Sequence, residues 1–155
     1  SEMCIRDRYN GTGSKKEWEN ITMASTIGGM VINTAGVTIA HGMEHPASGL
    51  KDIVHGQGLA ALTPIVIEAS YKGNEEKFAK IAKIFGGESS ADCADKIREL
   101  LKSIDLECKL SDLGIAAEDI SWMAENCMKV SAASIANNPV VFTQEEIAEI
   151  YRKAM

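Results

Sequence analysis

GVTIAHGMEHPASGLKDIVHGQGLA, residues 36 to 60, holds every histidine of the 155-residue chain: His41, His45 and His55. Histidine is the common neutral metal ligand, and the one side chain whose unperturbed pKa lies near neutrality. Three of them within fifteen positions, between apolar runs, mark a site rather than scatter. His41 and His45 are four apart, so on a helix they project from one face about one turn from each other, which is chelate spacing. The apolar pattern predicts that helix from about Val37 to Leu50, disturbed by Pro46 and Gly49. A loop, Lys51 to Val54, precedes a new helix that begins at His55-Gly56 and runs to about Tyr71. His55 would then stand beside the free N–H groups of a helix start, whose positive end disfavours an imidazolium and keeps the ring neutral for ligation. Geometry alone names His41 and His45 as a metal pair that His55 could join; core histidines bonded to backbone carbonyls are the alternative. The nearby acids offer no completion. Glu44 is expected to point away from the 41/45 face, and Asp52 lies in the loop.

Outward from this window the chain reads as helices throughout. Upstream, apolar positions recur helically from about Glu17 to Asn33, so this stretch and the one from about Val37 to Leu50 are expected to be two buried helices. Downstream, Phe78, Ile81, Ala82 and Phe85 form an amphipathic stripe closed by Gly86-Gly87. Ser90 is placed to cap the next helix, which carries Ile97, Leu100, Leu101 and Ile104. Another helix is expected from about Ala117 to Ala132, with Trp122, Met123 and Met128 in the core. Thr143 and Glu146 make a capping box for a last helix, Gln144 to about Lys153. Strand alternation is nowhere sustained, and Pro139 to Phe142 is too short to build a sheet. The fold class is all-α, a helical bundle.

Composition narrows the function classes. A formal net charge of -6 argues against nucleic acid or anionic lipid as partner, since such surfaces need excess Lys and Arg. Cys4, Cys93, Cys108 and Cys127 are widely separated and form no CxxC pair, so reduced thiols in a cytoplasmic setting are expected. Residues 21 to 40 lack any charge over a length that spans a bilayer. Nine of those twenty are Gly, Ser, Thr or Asn, which favours a helix buried inside a protein over one in a membrane. The GTGSK of residues 11 to 15 lacks the full spacing of a phosphate loop.

The first eight residues, SEMCIRDR, share no pattern with the rest of the chain. The DNA string TCG GAG ATG TGT ATA AGA GAC AG encodes Ser1 to Asp7 and opens the codon for Arg8, and it looks like a transposase-end sequencing adapter. Residues 1–8 are therefore expected to be an adapter remnant, residues 9–16 a loop, and 17–155 one helical domain of a truncated gene.

Gly36 to Pro46 followed by Gly49 to Ala60 resembles the second signature of the iron-containing alcohol dehydrogenases, the metal-dependent class with a dehydroquinate-synthase-like architecture. The resemblance extends through Asp112-Leu-Gly-Ile115, Glu118-Asp-Ile120, Asn137-Asn-Pro139 and Thr143-Gln-Glu-Glu-Ile147, and covers residues 17 to 155. It implies that these residues are the C-terminal metal-binding domain. It also implies that His41 and His55 are metal ligands, while His45 lies near the metal without ligating it, in contact with substrate or nicotinamide and placed for proton relay. The family's two other ligands come from an upstream Asp-x-x-x-His helix. Its NAD or NADP is held mainly by an N-terminal domain, and neither segment is in this sequence.

The implied reaction is hydride transfer between an alcohol and NAD(P), with Fe2+, or alternatively Zn2+, as Lewis acid. The partner is a small alcohol or aldehyde, the full-length protein is expected to be a homo-oligomer, and the chain alone is expected to be inactive. A glycerol dehydrogenase-like sister enzyme is the nearer alternative; a free-standing helical metal-binding or interaction module is the other. The fourteen-residue interval between His41 and His55 favours the alcohol dehydrogenase.

Overall fold

The computed structural model describes residues 2 to 155, with side chains from Met3 onward. Among these residues all regular structure is helical. Ser1, the first residue of the expected adapter remnant, lies outside the described residues. The rest of that segment forms α1 (Glu2–Tyr9), where no pattern pointed to a helix. It packs along α2 (Lys15–Ala35), with the Arg8 guanidinium 4.4 Å over the Trp18 ring. The loop expected over 9–16 is shorter, because Ser14 opens α2 two residues early: its side chain accepts from the Lys16 N–H, and its own N–H donates to Glu17 at 2.7 Å.

Helix α2 corrects the expectation of two buried helices. None of its residues is buried, and Met23, Ile27, Met30, Val31 and Ile32 are all at least half exposed. Its threonine hydroxyls are satisfied internally: Thr22, Thr26 and Thr34 donate to carbonyls one turn back at 2.9 to 3.0 Å. Periodicity reveals an apolar face but supplies nothing to cover it. No single helix among the described residues is long and apolar enough to cross a membrane; α2 passes that test only jointly with α3 (Ile39–Lys51), across a bend of 102°.

The core lies where α3 meets α4 (His55–Ser70), α7 (Asp119–Val130) and α9 (Gln144–Lys153). Ile39, Met43, Ala47, Leu62, Met123, Cys127, Ile147 and Tyr151 are enclosed there. A smaller cluster of Phe78, Ala82 and Cys93 joins α5 (Glu75–Ile84) to α6 (Cys93–Ser103). The cap before α6 is Ser89 paired with Asp92, one residue ahead of the expected Ser90. On α7, Met123 is enclosed as expected, but Trp122 is 47% exposed and Met128 is also open to solvent. Adjacent helical positions differ by about 100° around the axis, so one residue's burial says little about its neighbour's. Residues 139 to 142 form no strand.

Helix α3 is held on several sides. Pro46 has no N–H to offer the Gly42 carbonyl one turn back. The Ser131 hydroxyl, at the start of α8 (Ala132–Ala136), supplies the missing donor at 3.3 Å. Tyr151 of α9 donates to the Met43 carbonyl at 2.5 Å, and burial pushes its phenol far above the ordinary range. Asn137 donates to the Ala35 and Val37 carbonyls, tying down the α2–α3 joint. A Cβ on Gly42 would lie 2.9 Å from the Ser131 Cβ and 3.2 Å from that of Ser134. Gly42→Ala is accordingly expected to destabilise the domain by about 1–3 kcal/mol through overpacking, read as a lower urea midpoint at unchanged m-value.

Candidate metal centre

Two helix ends and one tight turn build the site. Helix α3 carries His41 and His45 one turn apart, and ends at Asp52, whose φ of 51° places it in the left-handed region. Asp tolerates that conformation better than most residues. The Asp52 N–H donates to the Ser48 carbonyl at 2.8 Å, and after two more residues α4 begins at His55, the expected start. The chain thus reverses within a few residues and returns the third imidazole to the first two. Ring centroids are 5.3 Å apart for His41 and His55, 5.8 Å for His45 and His55, and 6.3 Å for His41 and His45. All three histidines singled out in the sequence meet at one place.

Glu44 departs from expectation. It is 0% exposed, and its carboxylate meets both the His55 Nδ1 and the Ser48 hydroxyl in short hydrogen bonds. The Ser48 oxygen also lies 3.2 Å from the Ile53 carbonyl. The expectation that Glu44 points away from the 41/45 face and takes no part in the site fails because α4 folds over that side of α3 and brings His55 to it. Gly58 makes the approach possible, since a Cβ there would sit 2.8 Å from the Glu44 Cγ and 2.9 Å from Oε1. Among the described residues, potential donor atoms of Glu44, His45 and His55 lie within 4.8 Å of one another. Sequence spacing missed Glu44, Ser48 and Gly58. A signal was available: one acidic residue in the middle of an otherwise apolar and histidine-bearing helical turn needs a buried partner.

Electrostatics separates the three rings. His41 is half-buried, and its pKa is lowered, chiefly by desolvation, then by the neighbouring His55 and His45, with Glu44 opposing. His45 and His55 are open to solvent. The cysteines are all free, and burial raises the thiol of Cys127 to about 11, so it stays protonated near neutrality.

A family model described as Fe-containing alcohol dehydrogenase family, C-terminal, matches residues 4 to 155. The chain belongs to the iron-containing alcohol dehydrogenase family. A 1,3-propanediol dehydrogenase of Klebsiella pneumoniae is 38% identical over 144 residues, which is 88% of this chain and 37% of that protein. An archaeal halo-thermophilic alcohol dehydrogenase from a Red Sea brine pool superposes with a TM-score of 0.86 at 32% identity, over 96% of this chain and 40% of that one. An NADH-dependent butanol dehydrogenase A from Thermotoga maritima gives 0.77 at 28% identity, over 99% and 44%. The chain therefore spans about two fifths of the length of these relatives. Its helices correspond to the C-terminal helical domain of such iron-containing enzymes.

The lowered His41 pKa has a measurable consequence for the metal-free chain. Folded His41 binds a proton less readily than unfolded His41, so this residue's contribution to stability is complete above the unfolded value near 6.5 and shrinks as pH falls through it. In an NMR titration, the His41 ring is expected to show a midpoint below 6.5, and His41→Asn to reduce the loss of thermal stability between about pH 7 and pH 5. A midpoint at or above the free value would contradict the burial argument.

Proposed function

We propose that residues 17 to 155 are the metal-holding domain of a metal-dependent, NAD(P)-linked alcohol dehydrogenase that interconverts a small alcohol and its aldehyde or ketone by hydride transfer. The convergence of three imidazoles from two consecutive helices is the observation that carries this reading. The donor set fits a divalent first-row ion: imidazole suits iron and zinc, and a carboxylate lies directly behind one ring.

His41 and His55 would hold the ion. Their rings form the closest of the three pairs, and the family resemblance assigns them this role. Glu44 is a poorer ligand despite its proximity, because its carboxylate is enclosed and engaged with His55 and Ser48. The ion, when bound, supplies Lewis-acid stabilisation for the negative charge that builds on the substrate oxygen. A nicotinamide cofactor, held mainly by an upstream domain, would supply the hydride acceptor. His41 contributes a ring that burial keeps neutral, so its nitrogen stays available near pH 7. His45, exposed and one turn from His41, is placed to carry the alcohol proton towards solvent.

The sequence contains no Asp-x-x-x-His segment, so two of the family's four ligands are missing from this chain. The polypeptide alone is accordingly expected to bind Zn2+ weakly and to lack dehydrogenase activity. Joining residues 17 to 155 to the upstream part of the Klebsiella pneumoniae relative supplies what is missing. The chimera is expected to acquire a stoichiometric divalent ion and to oxidise 1,3-propanediol with NAD+ in preference to glycerol. Alanine at His41 or His55 should abolish both properties, whereas His45→Gln should keep the ion and change the pH–rate profile. A folded chimera that retains its ion in both alanine variants would sink the ligand assignment; preference for glycerol would favour the sister enzyme.

A further inference from the structure

Glu44 is a residue that spacing did not single out and that the proposed reaction leaves without a task. Its position is costly in isolation, because a carboxylate removed from water must recover its lost hydration from partners. The fold provides two. Ser48, one turn further along α3, donates its hydroxyl proton, and His55 presents Nδ1 from the first residue of α4. Space for the carboxylate comes from Gly58, where a methyl group would overlap both Cγ and Oε1 of Glu44 and would also stand 3.1 Å from the Ile53 side chain. Three residues from two helices therefore arrange one carboxylate against one ring nitrogen.

A neutral imidazole carries its single proton on one nitrogen and offers a lone pair on the other, and the hydrogen bond at one nitrogen decides which. A carboxylate accepts and does not donate, so it selects the tautomer protonated at Nδ1. We propose that Glu44 is a positioning residue for His55: it holds the ring as the Nδ1–H tautomer and leaves the Nε2 lone pair free for a divalent cation. Half of the His55 side chain remains exposed. Carboxylates behind ligating histidines raise ligand basicity as well as orienting the ring. This inference rests on the ligand role given to His55 above, but its physical content, a tautomer imposed by Glu44, exists without any metal.

The test uses the metal-free 155-residue chain, so it is independent of whether the chain binds an ion. Long-range 1H–15N correlation spectra at about pH 8.5, well above the ordinary histidine range, report the proton position on each ring. The wild-type chain is expected to show His55 predominantly as Nδ1–H. Glu44→Leu removes the acceptor and should lower the Nδ1–H to Nε2–H ratio by about tenfold or more, the scale of a hydrogen bond to a charged partner. Gly58→Ala keeps the carboxylate but crowds it out of place, and should move the ratio the same way by a smaller factor. Wild-type His55 found as Nε2–H overturns the proposal before any variant is made. A folded variant of either kind that leaves the ratio unchanged overturns it as well. A purely structural role for Glu44 would lower the melting temperature without moving the His55 proton position. Nδ1–H in the wild-type chain with the expected shift in both variants, yet a chimera that holds no ion, would instead count against the dehydrogenase reading alone.

Discussion

The site depends on how closely α4 lies against α3 at one point, where Gly58 faces Glu44. A side chain of any size at position 58 would meet the Glu44 side chain at under 3 Å, so either the carboxylate would be pushed aside or the two helices would separate. Separation would carry His55, three residues earlier on α4, away from His41 and His45. It would also expose a carboxylate whose burial is tolerable only while His55 and Ser48 satisfy it. One missing methyl group thus links helix packing, the burial of an acid and the meeting of three imidazoles.

The other sides of α3 show the same economy of space and hydrogen bonding. Pro46 leaves a carbonyl without its helical donor in the interior of the protein, and Ser131 supplies one from the opposite side. Gly42 lets α8 come near enough for that bond, and Tyr151 reaches in from α9 to the next carbonyl. The softer motif matches also turn out to be joints. Asn137 secures the α2–α3 bend, and Asn138 donates to Ser70 and Val140 across the core edge. Asp112 accepts from the Lys109 N–H, and Gly114 adopts the positive φ of 86° that turns the chain into the buried Ile115. Asn137 thus secures the entry to the histidine-bearing helix, while the others fix turns elsewhere around the core.

Helix α2 shows where local order and tertiary burial part company. Its capping box, its internal threonine bonds and its apolar periodicity are complete as a helix, yet no residue of it is enclosed. Burial is a property of pairs of surfaces, and among the described residues the eight-residue α1 packs on only part of this 21-residue helix. The same distinction explains Trp122, whose neighbour Met123 is fully enclosed while it is not.

Much of the fold was legible in order. The class, the final capping box from Thr143 to Glu146, the start of α4 at His55 and the helical stripes of α5 and α6 all follow from spacing, because capping and amphipathicity are set within a few residues of chain. The grouping of His41, His45 and His55 was legible for the same reason: two lie one helical turn apart, and the third comes after a short turn. What sequence spacing did not determine was which buried group stands behind those rings. Glu44 becomes the partner of His55 only because α4 reverses onto α3 and Gly58 allows contact, a relation between residues eleven and fourteen positions apart in sequence that periodicity along either helix does not encode. Local order is written in nearest neighbours, whereas enclosure and hydrogen-bond partners across helices are decided by packing.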